Sequence, residues 1–289
     1  MSYEFEKEIQ IYKGKTFLSN SHSKVPIVIT FDMDETLGSF LDLEILWNAL
    51  FLFNKNIEIS LNNLLDLYPE FIRYGILPIL EFLYQKKKKG GCDKIFIYTN
   101  NQSSPEWCKM IAKYFDYKLK LDIELFDQII CAFKINNQIV ELSRTTNNKT
   151  HTDFINCTLL PKKTKICFID NTFFYEMKND RVYYIQPKSY VHKLSTGNII
   201  DRFLSSPLGS EYINHANLFV FSDFLHKYFS KHGIILNTSI LTNDFISDIH
   251  VAQKLMYHIK EFFYLIQKKV RTKKVKYLVG RITRKKKIG

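Results

Sequence analysis

The sequence predicts an α/β fold, a mostly parallel sheet flanked by helices with a mainly helical C-terminal extension. Short apolar runs rich in β-branched and aromatic residues recur at 25–31, 94–99, 127–132 and 165–170, and segments of helical length and spacing lie between them. After residue 187 the strand pattern gives way to helical spacing. With 46% hydrophobic and 24% charged residues and only 10 Gly and 7 Pro in 289, the chain is neither disordered nor low in complexity and can bury a substantial core.

Each element has its own signal. Residues 25–31 (VPIVITF) carry five β-branched residues in a continuous apolar run, which is how a strand covered on both faces reads. Residues 41–53 and 61–72 are helical by length and apolar spacing. Residues 75–88 form a helix stopped by Gly90-Gly91. The run 94–99 (KIFIYT) is a second buried strand, and a helix follows from Pro105, a residue suited to a first turn. Residues 127–132 and 165–170 are further strands, with a short helix at 150–158 between them, and VYYIQPKSY is strand-like. A long helix runs from 245 to about 269. The organisation is an N-terminal extension (1–24), an α/β domain (25–190), a helical region (191–267) and a basic tail (268–289). The helical region is either an appended subdomain or a cover over the sheet.

The net charge of +12 sits at one end. Residues 268–287 hold eleven Lys or Arg and no acid, which leaves 12 − 11 = +1 for the rest. The tail is a non-specific contact for nucleic acid, a nuclear address or a solvated end; its aromatic content is limited to Tyr277, so it offers no stacking platform. Five widely spaced cysteines without a CxxC pair read as buried thiols in a reducing, intracellular setting. The eight histidines show no metal-ligand spacing. No apolar run reaches the roughly 18–20 residues that span a bilayer, so no membrane partner is expected.

The strongest chemical signal is Asp32-Met33-Asp34-Glu35-Thr36-Leu37, directly after the first strand. Two carboxylates beyond the carboxyl end of a buried parallel strand stand where open α/β sheets place ligands. Such a pair is costly without compensation, and a divalent cation, Mg2+ above all, offsets it with one or two carboxylates plus phosphate and water. Asp32 can then act as a nucleophile toward phosphorus, and Asp34 can give and take the proton. The plainer alternative is a turn whose Asp and Thr side chains cap a helix.

FDMDETL resembles the first motif of the haloacid-dehalogenase superfamily. It is most similar to its phosphoprotein phosphatases that act on the RNA polymerase C-terminal domain, the FCP/SCP or NLI-interacting-factor-like group. The resemblance covers about 25–190 and implies a HAD-like Rossmannoid sheet and three more motifs in order. Thr99, ending KIFIYT and followed by Asn100, would hold a phosphoryl oxygen. Lys149, before the short helix, would neutralise nucleophile and phosphate; Lys134 lies too near the third strand, and Lys162, Lys163 and Lys165 too near the fourth. Asp170-Asn171, ending KICFID, would complete the Mg2+ ligands with Asp32 and Asp34, although Phe173 stands where the family has Pro. Arg73-Tyr74-Gly75 resembles the family's RPG segment with Tyr74 in place of Pro. Members with Lys/Asn-rich composition and a helical C-terminal extension occur in large DNA viruses, so the resemblance extends to a viral source and a virion location.

The implied function is a Mg2+-dependent Ser/Thr phosphoprotein phosphatase. The alternatives are a silent scaffold in a virion or transcription complex, and a phosphatase of nucleotides or polynucleotide ends. The stretches between the motifs are too short for a large cap, which favours a protein or peptide substrate over an enclosed metabolite.

Overall fold

The computed structural model describes residues 8–15, 25–55, 59–213, 218–233 and 245–285, with 268–285 as backbone alone. Among these, the strands are β1 (Ile9–Lys13), β2 (Ile27–Phe31), β3 (Lys94–Tyr98), β4 (Gln128–Ile130), the short pair β5 (Lys134–Ile135) and β6 (Gln138–Ile139), β7 (Lys165–Ile169) and β8 (Val182–Pro187). Six of them form one sheet in the order β1-β8-β7-β2-β3-β4. The pairs from β8 to β4 are parallel and β1 is antiparallel to β8. The chain runs from β2 outward through β3 to β4, then returns to β7 on the other side of β2. Strand β2 is therefore the topological switch point, and the crevice at its carboxyl end is where such sheets bind ligands.

The central strands read as apolar runs because both faces are covered. Ile29, Phe31, Ile95, Ile97, Cys167 and Ile169 face a large cluster with α1 (Leu41–Phe53), α2 (Leu61–Leu67), α3 (Ile76–Lys88) and α4 (Pro105–Lys118). Val28, Phe96, Tyr98, Ile166 and Phe168 face a smaller cluster with Phe154 and Ile155 of α5 (His151–Thr158). The expected helix 61–72 is shorter than its span: α2 ends at Leu67 and a 3₁₀ turn, Pro69–Phe71, takes over, since Pro69 lacks the N–H to continue the helix.

The described residues between 191 and 267 cover the sheet. Their helices are α6 (Thr196–Ser205), α7 (Pro207–Tyr212), α8 (Leu218–His232) and α9 (Phe245–Lys285). Ile199, Phe203, Phe221, Leu225, Leu255, Ile259 and Phe262 belong to the same apolar cluster as α1 and α3. Val251, Leu255, Ile259, Phe262 and Ile266 recur at helical spacing along the buried stripe of α9. Gly75, at φ +74°, opens α3, and a Cβ there would stand 2.5 Å from the Ala252 Cβ on α9.

Two expectations need correction. The N-terminal segment is more than an extension: residues 9–13 form an edge strand whose register on β8 runs from Ile9↔Pro187 to Lys13↔Tyr183. Its side chains are only partly covered, with Ile9 alone buried, so its alternation is weak in sequence. The C-terminal helix runs past 269 to Lys285, since the Lys- and Arg-rich segment contains good helix formers. All five cysteines are buried and free. No helix among the described residues is long and apolar enough to cross a membrane.

Candidate active site

The site is assembled by the sheet register. Asp32, Thr99 and Asp170 are each the first residue after a parallel strand, and each backbone N–H still extends the ladder: Asp32 to Ile169 O (2.8 Å), Thr99 to Ile130 O (2.9 Å) and Asp170 to Ile185 O (3.1 Å). Three adjacent strand ends thus deliver three side chains to one place. They line a cavity of about 310 Å3 with Asp34, Glu35, Asn100, Asn101, Lys149, Asn171, Thr172 and Phe174. Met33, between the two aspartates, is fully buried in the core, so the strand's alternation carries past its end and turns Asp32 and Asp34 to the same side.

The Asp32–Leu37 loop is tightly held. Glu35 adopts a left-handed conformation, φ 57°, which a non-glycine residue keeps only when its surroundings impose it. Gly38 closes the loop against Phe71, where a Cβ would lie 2.4 Å from the Phe71 carbonyl oxygen. Arg73 is buried and donates to the carbonyls of Glu35, Thr36 and Lys188, the last two at 2.6 and 2.7 Å. Burial lowers the Arg73 guanidinium to about 10, still cationic at neutral pH. Thr36 Oγ1 donates to Asn171 Oδ1 (2.9 Å) and accepts from the Asn171 N–H (3.1 Å), tying the first loop to the last.

Lys149 is fully buried, and its Nζ bridges the Asp32 and Asp170 carboxylates, the latter at 2.6 Å. It precedes the N-cap of α5, where Thr150 Oγ1 accepts from Asp153 N and the Asp153 carboxylate accepts from Thr145 N. Burial alone would lower the Lys149 ammonium, but Asp170 and Asp32 outweigh it and hold its pKa above the ordinary lysine value. Asp34 is pushed up to about 7, first by burial and then by the negative charge of Asp32, against an opposing hydrogen bond from Asn101 Nδ2 at 2.7 Å. Burial likewise raises Asp170, against the pull of Lys149.

Every residue expected at the site lines this one cavity. Thr99 Oγ1 accepts from Asn101 N at 3.0 Å, which leaves its hydroxyl proton as the donor. The Asn171 amide is engaged with Thr36, with Glu35 Oε2 and with Ser189 Oγ, both at 3.1 Å, so it ties loops as well as facing the cavity. Sequence reasoning missed Asn101, although an Asn run after a strand is a readable Asx-turn signal: Asn101 Oδ1 accepts from Ser103 N at 2.7 Å. It also missed Arg144, a buried arginine that reaches the Thr99 carbonyl.

Four carboxylates, Asp32, Asp34, Glu35 and Asp170, share this cavity with one lysine. Among the described residues no group of three or more His, Cys, Asp or Glu side chains makes a metal cage. Mg2+ needs none, since it takes one or two carboxylates and completes its shell with water and phosphate. The donor set here is all oxygen, and its surplus negative charge is what a hard divalent cation offsets, so these residues fit Mg2+. No protein-family model matches the chain, and neither a curated protein nor a solved structure is significantly similar to it.

Proposed function

We propose that this chain is a Mg2+-dependent phosphomonoester hydrolase of the haloacid-dehalogenase type, working through an aspartyl phosphate on Asp32. The single observation behind this reading is the set Asp32, Asp34, Thr99, Lys149 and Asp170 on one cavity, with Lys149 bridging two of the carboxylates. In the proposed reaction Asp32 attacks phosphorus in line and the bond to the leaving oxygen breaks. Asp34, whose carboxyl is pushed up to about 7 by burial and by the charge of Asp32, gives its proton to that oxygen. It then takes a proton from water as the water attacks phosphorus and frees the Asp32 carboxylate. Thr99 donates to a phosphoryl oxygen, and Lys149 screens the charge between nucleophile and phosphate. Asp32, Asp34, Asp170 and Asn171 are the residues that would hold Mg2+, which when bound supplies further neutralisation of the phosphoryl oxygens.

The cavity supports one substrate class. It is small, polar and lined by strand-end loops, and among the described residues the helical cover adds none to its lining. A phosphate on a Ser or Thr of a protein or peptide reaches such a site more readily than a metabolite that needs enclosure; a polymerase C-terminal tail is the member of that class the sequence resemblance names.

The test is phosphate release from an aryl phosphate with Mg2+ and with chelator, for the parent chain and Asp32→Asn, followed by phosphopeptides and phosphorylated oligonucleotides. Mg2+-dependent release that vanishes in the variant supports the reading, and the last two substrates separate a protein phosphatase from a polynucleotide-end phosphatase. A folded, Mg2+-supplied parent inert on all three substrates sinks it.

A further inference from the structure

Arg144 lies in the loop between the β5/β6 hairpin and α5, 2% exposed. Its Nη1 donates to the carbonyls of Thr99 (3.0 Å) and Cys131 (2.7 Å). Its Nη2 donates to Asn100 Oδ1 (2.7 Å) and to the carbonyls of Asn147 and Asn148 (both 3.2 Å). The guanidinium also stands 4.8 Å from the centre of the Tyr98 ring, and the Tyr98 hydroxyl accepts from the Thr150 N–H at 3.2 Å. One side chain thus joins three segments: the loop after β3, the chain just after β4, and the turn that presents Lys149. A planar fork of five donors can do this; the ammonium of a lysine, a compact point charge, cannot.

Two consequences bear on the cavity. The Asn100 amide has only one satisfactory orientation, because a flip would set its NH2 group against the guanidinium. With Oδ1 held by Arg144, the Nδ2 donor is the end left for the cavity that Asn100 lines. The carbonyls of Asn147 and Asn148 immediately precede Lys149, so the same cation fixes where that lysine's backbone stands relative to Thr99. Arg144 itself is not among the residues lining the cavity.

We propose that Arg144 is a positioning residue for an oxyanion: it holds the Asn100 amide as a donor to a phosphoryl oxygen and sets Lys149 in register with Thr99. This rests on the reading that the cavity takes a phosphoryl group.

The experiment measures inorganic phosphate binding by calorimetry, with Mg2+, together with aryl-phosphate kinetics. It uses the full chain as parent, Arg144→Lys, Asn100→Ala and the double variant. The expected result is phosphate binding about tenfold weaker in folded Arg144→Lys, the size of one lost charge-assisted hydrogen bond. Asn100→Ala should then add little in the Arg144→Lys background, because Arg144 acts partly through that amide. A variant with a lowered thermal midpoint, unchanged phosphate affinity and a full additive effect of Asn100→Ala overturns the proposal, since that is how a merely structural arginine behaves. Should Arg144→Lys not fold, Asn100→Asp keeps the contact to Arg144 and removes the NH2 donor; unchanged phosphate affinity there overturns it equally. A parent that binds phosphate but hydrolyses nothing sinks the phosphatase reading alone and leaves the affinity readout of Arg144 in force. A parent that hydrolyses aryl phosphate yet binds no phosphate overturns the proposal alone, and one that neither binds nor hydrolyses overturns both.

Discussion

The carboxylate cluster and the helical cover are built from opposite materials. The cluster gathers four acids against one buried lysine, and burial raises Asp34 and Asp170 toward protonation. The cover buries Leu, Ile and Phe side chains in one continuous core with α1 and α3. Burying charge costs free energy, whereas burying apolar surface gains it, about 25 cal/mol per Å2. The cover therefore serves stability alone and the cluster serves chemistry at a cost in stability, so a substitution in the cover should leave the chemistry nearly untouched and one in the cluster should not lower stability.

The largest effect expected is in the cluster. Asp32→Asn should lower kcat/KM on an aryl phosphate by more than about 10³-fold, as loss of a nucleophile does. Its thermal midpoint should be no lower than the parent's, because Lys149 keeps its ion pair with Asp170 and the variant removes a carboxylate that opposes both Asp34 and Asp170. A clear fall in the midpoint would break the comparison. The cover should respond the other way. Phe262, fully buried on α9 with its ring 5.9 Å from that of Tyr183, should cost about 3–5 kcal/mol as Phe262→Ala in denaturant unfolding, with kcat per folded molecule unchanged.

A smaller, pH-dependent effect sharpens the contrast. Asp34 has its folded pKa raised from 3.8 to about 7, so its contribution to stability is fully present below about pH 4 and is lost as pH rises through 7. Asp34→Asn should therefore stabilise metal-free protein at pH 8 relative to the parent by a few kcal/mol and leave the two alike near pH 4, measured by unfolding across that range. Equal differences at both ends would sink the electrostatic account of this site.

The smallest effect concerns the seam between cover and sheet. Glu261 on α9 accepts from Lys13 Nζ at 2.8 Å on β1 and from the Tyr183 hydroxyl on β8. Burial would raise its carboxyl, but the hydrogen bonds from Lys13, Tyr183 and His258 outweigh it and lower the pKa to about 2. Its stabilisation is present above pH 4.5 and is lost as pH falls toward 2. Because the pair is partly exposed, Glu261→Gln should cost only about 1 kcal/mol at pH 7, read from the denaturant midpoint, and nothing near pH 2.

What could be read from the sequence divides along physical lines. Strands buried on both faces announce themselves as apolar runs, and β2, β3 and β7 fall within the expected spans 25–31, 94–99 and 165–170. The residues that end those runs, Asp32, Thr99 and Asp170, were legible for the same reason. Strand β1 was not, because an edge strand with one buried side chain has little periodicity to show. The β5/β6 hairpin turns on Asn136-Asn137, both at positive φ (49° and 62°), a two-residue turn signal that went unread. Arg144 escaped because arginines read as solvated charge, and the carbonyls that enclose it converge only in three dimensions. One clue was present: the chain has 34 Lys and 7 Arg, and two of the four arginines before the basic tail, Arg73 and Arg144, are buried against backbone carbonyls, while Arg202 grips Glu70 with both terminal nitrogens. Where lysine is the default, an arginine marks a place that needs a fork.

The antiparallel pairing of β1 with β8 also sets a clock. Strand β1 is synthesised well before its partner: Ile9 pairs with Pro187, which follows after 187 − 9 = 178 further residues. At roughly 5–20 residues per second it waits on the order of 10–40 s for a template. Throughout that interval the nascent chain carries an unpaired strand with two isoleucines and a tyrosine, the kind of segment that pairs with the wrong edge or is held by a chaperone. The last act of folding at this edge is therefore the capture of the earlier strand by the later one, and refolding from denaturant, where both are available at once, should complete it sooner than synthesis can.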